Sequence, residues 1–209
     1  MPAPTTATRL SRVERRQRTR DELLDAAERR FSARGFQACS LDEIATEAGY
    51  TKGAVYSNFA SKEDLFLAVY ERRAERAVAE VERIVADLGP AEALHRVAED
   101  TARRRGEDDG WLAVFFEFWA HVVRHPELRG RFAAIHARAQ APFVAALADL
   151  ADAGEIALPM EARSLTAAMV AMQLGLSLER LTQPDIVDVT LGARMSRLVL
   201  DDLLREAGS

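Results

Sequence analysis

The side chains able to do chemistry in this 209-residue chain fall into three groups. A polar stretch from Ser40 to Phe59 contains Lys52, and the chain's other lysine, Lys62, follows it closely. An arginine-rich segment precedes this stretch, and aromatic, histidine and methionine residues collect in the second half of the chain. Lysine, arginine and hydroxyl groups bind phosphates and the edges of DNA bases. Aromatic and methionine side chains instead favour an apolar small molecule.

Catalytic chemistry has no support in these groups. The sequence contains no nucleophile elbow, Walker loop, dinucleotide-binding fingerprint or HExxH motif, so we expect neither an enzyme nor a cofactor. Glu117, His121 and His125 recur at intervals of four, which could place three metal ligands on one helical stripe. Histidines packed at an interface explain the same spacing, and both interpretations stay open. Cys39 is the only cysteine and is expected to be a small packing residue.

Charge is distributed unevenly along the chain. Residues 1–62 carry eleven Arg or Lys against eight Asp or Glu, whereas residues 63–209 carry seventeen against twenty-five. Arginines at positions 9, 12, 15, 16, 18 and 20 are opposed there only by Glu14. Because neutralising phosphates releases condensed counterions, this basic arm indicates a polyanionic partner. No apolar run is long enough to cross a membrane and no secretory signal is recognisable, so we expect a cytoplasmic protein without a membrane partner.

The elements that must position these groups are helices throughout. Apolar residues recur with the helical period, and the sequence predicts an all-α fold of about nine helices separated by Gly and Pro residues. Two short helices follow Ser40 and Thr51. The longer ones are expected over about 15–34, 61–87, 91–105, 111–124, 127–153, 161–182 and 185–206.

The stretch SLDEIATEAGYTKGAVYSNF, residues 40–59, has the spacing of two short helices that cross closely. Ala45 supplies a small residue at the crossing, Gly49 tolerates positive φ in the turn, and Val55 returns to the same core. This is the helix-turn-helix pattern. A plain helical hairpin also needs small residues and a turn glycine, but the polar outward face of the second helix favours DNA binding.

The segments LLDAAERRFSARGF and SLDEIATEAGYTKGAVYSNFASKEDLFLAV resemble the DNA-binding domain of the TetR family of transcriptional regulators, from about Arg15 to Tyr70. The sequence departs from the family pattern at Tyr50, where valine is commoner, and at Ser57 and Asn58, where His or Tyr often precedes the Phe. The resemblance implies DNA contacts from Ser40, Thr51, Lys52, Gly53, Ala54, Tyr56, Ser57, Asn58 and Lys62.

The resemblance also assigns roles to these residues. Thr51, Lys52 and Ala54 would face base edges in the major groove, and Gly53 would permit close approach. Ser40 and Lys62 would approach phosphates at helix starts, and Tyr56, Ser57 and Asn58 would contact further phosphates. The arginine arm would follow phosphates or enter a minor groove.

The aromatic run WLAVFFEFW, residues 111–119, admits two interpretations. Its helical spacing fits ordinary core packing, whereas its bulk fits an apolar cavity, which the resemblance implies for this region. The candidate ligand-binding residues are Trp111, Phe115, Phe118, Trp119, Phe132, His136, Phe143, Met169, Met172 and Gln173.

The last two helices carry apolar stripes that fit either packing within the subunit or a homodimer. The resemblance implies a two-fold four-helix interface, with Leu165, Met172, Leu176, Leu191, Met195 and Leu198 as candidates. We therefore expect a mobile basic arm at residues 1–14, a helix-turn-helix domain at 15–62 and a ligand-binding and dimerisation domain at 63–209. The function expected is that of a ligand-responsive repressor of operator DNA. The alternative is a helical small-molecule carrier or enzyme that kept the N-terminal module as a scaffold.

Overall fold

The computed structural model describes residues 11–206, apart from the side chains of residues 102, 104–107 and 204–206. Within this part of the chain every regular element is an α-helix, and nine helices are present, so the predicted fold class is confirmed. The chain divides into two compact units, Met1–Val69 and Tyr70–Ser209. Among the described residues, no helix combines the length and apolar character that a membrane span requires.

Helix α1 (Arg12–Arg34) opens the first unit with a capping box. The Ser11 hydroxyl accepts the Glu14 N–H at 3.1 Å, and the Glu14 carboxylate accepts the Ser11 N–H at 2.7 Å. The helix therefore begins earlier than position 15, and residues 12–14 belong to it rather than to the predicted mobile arm. Residues 1–10 of that arm, Arg9 among them, lie outside the described range. Gly35 ends the helix with φ 82°, in the left-handed region that glycine adopts without strain.

Helices α2 (Leu41–Glu47) and α3 (Lys52–Tyr56) follow, and the first two turns of α4 (Lys62–Leu88) complete the unit. The rings of Phe31, Phe36 and Phe66 form its centre, with ring centroids 5.3 to 5.9 Å apart. Such aromatic pairs contribute about 0.5–1.5 kcal/mol each beyond the area that they bury. Phe66 belongs to this cluster, and the division between the two units falls inside α4.

The second unit contains the rest of α4 and five further helices: α5 (Pro90–Glu107), α6 (Asp109–Arg124), α7 (Pro126–Asp152), α8 (Ala162–Thr182) and α9 (Leu191–Glu206). Pro90 and Pro126 open α5 and α7 at the first helical position, where the missing N–H costs nothing. The unit's main core packs α5, α7, α8 and α9 together through Leu94, Leu147, Leu150, Leu165, Met169 and Leu200.

Helix α9 begins at Leu191 rather than at the predicted position 185. The Asp188 carboxylate explains the later start, because its Oδ1 accepts the N–H groups of Thr190 and Leu191 at 2.6 and 3.0 Å. These are the bonds that a helix N-cap makes. Val187 consequently lies before α9, where it is buried, and not on the helix's apolar stripe.

Candidate functional site

Helices α2 and α3 of the first unit meet at a tight turn. Ala45 is buried on α2, and its carbonyl accepts the Tyr50 N–H at 2.8 Å. Gly49 occupies the turn with φ +76°, and Val55 of α3 is fully buried. The three residues thus perform the helix-turn-helix roles that their spacing predicts.

Helix α3 presents polar side chains to solvent. Thr51, Lys52, Tyr56 and Ser57 are exposed, whereas Val55 anchors the helix in the core. The Thr51 hydroxyl accepts the Ala54 N–H at 3.4 Å and caps the helix. The hydroxyl, ammonium and phenol groups of these side chains are of the kinds that bind phosphates and base edges.

Lys52 forms an ion pair on this exposed face. Its Nζ lies 2.9 Å from Asp42 Oδ2 of α2, and the hydrogen bond to Asp42 raises the pKa of Lys52. The two side chains are 59% and 57% exposed, and pairs this exposed contribute little to stability. Lys52 can therefore exchange Asp42 for a group outside the chain at small cost.

Gly53 has no steric reason to be glycine within the described structure. A Cβ at this position would meet only the Thr51 hydroxyl, at an ordinary contact distance of 3.8 Å. Glycine inside a helix costs about 0.5–1 kcal/mol relative to alanine.

Two arginines of α1 hold the C-terminal end of α3. Arg20 donates to the Asn58 carbonyl at 3.2 Å, and its guanidinium lies 4.5 Å from the centroid of the Phe59 ring. Arg16 donates to the Ser57 carbonyl at 3.5 Å. Cations near a helix C-terminus stabilise its unpaired carbonyls. The resemblance implies phosphate or minor-groove contacts for the arginine arm, and within the structure Arg16 and Arg20 support the end of α3.

The side chains of Ser57 and Asn58 bond back to the same helix. Both donate to the Ala54 carbonyl, at 2.9 and 2.8 Å respectively. Ser57 stays exposed and Asn58 is half-buried. Ser57 therefore remains accessible for a phosphate, while Asn58 completes the end of α3.

Ser40 stands at the start of α2 in a second capping box. Its hydroxyl accepts the Glu43 N–H at 3.2 Å, and its own N–H donates to the Glu43 carboxylate at 2.9 Å. The latter bond is the main cause of a lowered pKa for Glu43. Ser40 is exposed, as a phosphate contact requires.

Lys62 is placed differently from the prediction. Its ammonium group donates to the carbonyls of Phe36, Cys39 and Gln37 at 2.9, 3.1 and 3.3 Å, and it lies 4.5 Å from the Phe36 ring centroid. All three ammonium donors thus point to the segment between α1 and α2. Lys62 holds this segment in place instead of presenting its charge outward.

Tyr50, the departure from the family pattern, joins the α2–α3 turn to α1. Its hydroxyl donates to the Glu22 carboxylate and accepts a 3.4 Å bond from Thr19. The bond from Tyr50, followed by that from Arg18, lowers the pKa of Glu22. The tyrosine therefore replaces an apolar contact with a polar link between helices.

The second unit contains a cavity of about 480 Å³ between α4, α5, α6, α7 and α8, with Ser196 contributed by α9. Six of the ten predicted ligand-binding residues line it: Trp111, Phe115, His136, Phe143, Met169 and Gln173. Its volume lies in the range of small-molecule sites. The Nε2 of Gln173 donates to the Gly192 carbonyl and to Ser196 Oγ, at 2.8 and 2.7 Å, so this amide also fastens α8 to α9.

The other four predicted residues do not border the cavity: Phe118, Trp119, Phe132 and Met172. Phe118 is fully buried, and Trp119 packs edge-on against Phe132 with centroids 5.1 Å apart. Phe132 in turn stacks on Phe115 and Tyr70, at centroid distances of 6.0 and 5.4 Å. The rings of Phe118, Trp119 and Phe132 thus form a layer behind the cavity wall.

Helices α4 and α5 supply lining residues that the sequence analysis missed, among them Tyr70, Arg73, Arg76, Glu80, Val81 and Val97. The Tyr70 hydroxyl lies 2.7 Å from His136 Nδ1. The α4 residues recur at intervals of three and four, so they share one helical face. That spacing could have identified them had α4 been considered as a cavity wall.

The described residues contain no group of three or more His, Cys, Asp or Glu able to hold a metal ion. Glu117, His121 and His125 therefore do not form such a group. The rings of His121 and His125 stack with centroids 3.8 Å apart, and His125 Nδ1 lies 2.7 Å from the His121 carbonyl.

The candidate dimer residues differ in their burial. Leu165 is 6% exposed and packs inside the subunit core, which leaves it unable to face a partner. Met172, Leu176, Leu191 and Met195 are half-buried, and Leu198 is 59% exposed. Leu178, which was not predicted, is also exposed on α8.

Comparison with known proteins gives the family. Residues 23–69 match the model of bacterial regulatory proteins of the tetR family, and residues 90–205 match that of the BetI-type transcriptional repressor C-terminal domain. The chain is 35% identical over 113 residues to the transcriptional activator FasR of Mycolicibacterium smegmatis, covering 54% of this chain and 44% of that protein. It is 27% identical over 114 residues to the repressor AcnR of Corynebacterium efficiens, covering 54% and 56%. The matches thus span about half the length of these relatives.

Solved structures share the fold. A TetR-family transcriptional regulator from Rhodococcus sp. superposes with a TM-score of 0.78 at 21% identity, covering 90% of this chain and 99% of that one. SmeT, the repressor of a Stenotrophomonas maltophilia multidrug efflux pump, superposes with a TM-score of 0.66 at 26% identity, covering 88% and 91%. The relatives are named as transcriptional regulators and not as enzymes. With a helix-turn-helix in its first unit and both family models matched, the chain belongs to the TetR family of transcriptional regulators.

Proposed function

We propose that this regulator is a homodimeric repressor that a small apolar or aromatic effector releases from a palindromic operator. The outward face of α3 carries the proposal, because its polar side chains surround a glycine that no neighbour within the described chain requires. Support for effector binding comes from the cavity and from SmeT, whose complex with triclosan has been solved. As a regulator of transcription, the protein is placed in the cytoplasm with the DNA.

Contacts to DNA are assigned residue by residue. Thr51, Lys52 and Ala54 read base edges in the major groove, with Lys52 leaving Asp42 to reach guanine. Gly53 permits close approach of the backbone. Ser40, Tyr56 and Ser57 bind phosphates, and all three are exposed. Asn58 and Lys62, which the resemblance also named, act by holding the ends of α3 and the loop before α2.

The dimer is assigned to α8 and α9. Leu178 and Leu198 are apolar and exposed, and Ala168, Ala171 and Gly175 of α8 are exposed small residues on one stripe. Small residues at such intervals let two helices approach closely. Replacing Leu178 and Leu198 together with Glu should give monomers in light scattering. An intact dimer would place the interface elsewhere.

Release from DNA is assigned to α4, which contributes its first turns to the unit with the helix-turn-helix and its remainder to the unit with the cavity. An effector must bind the DNA-competent and DNA-incompetent arrangements unequally, and a coupling of about 1–3 kcal/mol is typical. Half-sites lie about 34 Å apart, so a shift of α4 that changes the spacing of two α3 helices prevents both from seating.

The proposal is tested by sequencing genomic fragments that the purified protein retains, and then measuring release of the recovered fragment by compounds from an apolar library. Compounds that release DNA from the wild type should fail with Phe115→Ala, which opens the cavity wall. Equal release from both proteins would refute the assignment of the effector to this cavity. Reporter expression beside the recovered site separates a repressor from an activator.

A further inference from the structure

The cavity contains a cation held between an acid and an aromatic ring. Arg73 of α4 places Nη2 2.5 Å from Asp108 Oδ2, and its guanidinium carbon lies 4.4 Å from the centroid of a Trp111 ring. All three residues line the cavity. The Arg73 and Asp108 side chains are only partly exposed, at 29% and 40%, so the pair stands where a bound molecule would meet it.

Asp108 can give up this ion pair and still be stabilised. Its second oxygen, Oδ1, accepts the Trp111 N–H at 3.2 Å and caps α6. A carboxylate at a helix N-terminus is stabilised by the unpaired N–H groups there. An incoming anion could therefore replace Oδ2 at Arg73 without leaving Asp108 uncompensated.

The Trp111 ring argues against a cationic ligand. A ligand cation would bind over the π face of Trp111, beside Asp108, but Arg73 already lies over this ring. Entry of a cation would displace Arg73 from both Asp108 and Trp111, whereas an anion can replace Asp108 while Arg73 stays over the Trp111 ring. Further along α4 the lining also contains Arg76 and Glu80, which carry opposite charges.

The remaining wall suits an apolar body attached to the anionic group. Val81, Val97, Phe115, Phe143, Met169 and Leu174 line the cavity. Bidentate binding of a carboxylate by a guanidinium gives both strength and direction. Building on the effector role proposed above, we infer that the cavity takes an amphipathic organic anion, whose carboxylate replaces Asp108 as the partner of Arg73.

The test compares three probes with one tail and different head groups: decanoate, decanol and decylammonium. Isothermal titration calorimetry near neutral pH, where the carboxylate is ionised, should show decanoate binding the wild type about ten-fold tighter than decylammonium. Equal affinities, tighter binding of the ammonium, or no binding of decanoate would each overturn the inference.

Two variants should act in opposite directions. Arg73→Met should weaken decanoate about ten-fold and leave decanol unchanged, because only the charged head group loses its partner. Asp108→Asn keeps a capping oxygen but removes the competing charge, and should tighten decanoate about five-fold. Losses of decanoate affinity in both variants would show a purely structural ion pair and contradict the inference.

Arg138→Met is the matched control, because Arg138 pairs with Glu71 between α4 and α7 and does not line this cavity. It should bind all three probes as the wild type does. Circular dichroism checks that each variant is folded. If Arg73→Met does not fold, the expected tightening of decanoate binding by Asp108→Asn still tests the inference. The affinities of the three probes are measured without DNA. If they are as expected but decanoate leaves operator binding unchanged, the proposed function is refuted and this inference stands.

Discussion

Replacing Lys62 with Met tests whether this residue holds the first unit together. Its ammonium group donates to the carbonyls of Phe36, Gln37 and Cys39. Met preserves the length and helix propensity of the side chain but removes its charge and donors. The substitution therefore removes the three hydrogen bonds that Lys62 donates to the α1–α2 segment.

The expected loss can be estimated from the geometry. The two shorter bonds contribute about 1 kcal/mol each at this partial burial, and the cation over the Phe36 ring adds about 0.5–1 kcal/mol. Lys62 is also the first residue of α4, where a positive charge opposes the helix dipole and costs about 0.5 kcal/mol. The variant should therefore be less stable by about 2 kcal/mol.

Urea denaturation followed by circular dichroism measures this loss, and Lys52→Met is the control. The same substitution there removes an exposed pair and should leave the midpoint almost unchanged. Tryptophan fluorescence follows the unfolding of the second unit separately, because Trp111 and Trp119 both belong to that unit. Equal midpoints for the two variants would refute the role given to Lys62. The role would also be refuted if Lys62→Met flattens the slope of log affinity for DNA against log salt concentration by about one, since that change is the signature of a lost phosphate contact.

Four other substitutions test the structure further. In Gly192→Ala a Cβ would collide with Gln173 Oε1, so stability should fall by about 1–3 kcal/mol. In Gly130→Ala the Cβ meets nothing within 4 Å, so stability should rise by about 0.5–1 kcal/mol. Shifts of the two urea midpoints in the same direction would contradict this. Burial raises the pKa of Asp100, but hydrogen bonds from Arg96 and Arg103 outweigh it and hold the pKa below its ordinary value. The resulting stability is present above about pH 4 and is lost as pH falls through the lowered pKa, so Asp100→Asn should lose less stability than the wild type between about pH 7 and pH 3. An equal acid-induced loss would exclude this contribution. Arg20→Met should weaken operator binding because α3 loses a support at Asn58, and unchanged affinity would show that the support is dispensable.

Local spacing was sufficient to predict the helix-turn-helix. Ala45, Gly49 and Val55 act within one short stretch, where a crossing, a turn and an anchor each demand a particular residue type. The sequence pattern places the start of α9 too early, at about position 185, because Pro184 ends the preceding helix pattern; the residue that caps α9 in the structure is Asp188. The capping box of Ser11 and Glu14 was missed in the same way.

Contacts between distant segments could not be predicted. Lys62 has the charge of a phosphate ligand, and only the folded loop beside it reveals that its donors are already used. The cavity likewise combines α4 with α6 and α7, so an aromatic run indicated Trp111 and Phe115 but gave no reason to choose Arg73. Phe118 and Phe132 have the same composition signal as the lining residues, and their position behind the wall depends on tertiary packing.

Fluorescence anisotropy with the fragment recovered from genomic selection can decide whether α3 reads DNA. Wild type and Lys52→Met are titrated with this fragment and with an unrelated duplex of equal length, over a range of salt concentrations. If α3 reads DNA, Lys52→Met loses about ten- to hundred-fold in affinity for the recovered fragment and much less for the unrelated duplex. Affinity for the recovered fragment equal to that of the wild type, in a folded Lys52→Met protein, would contradict it.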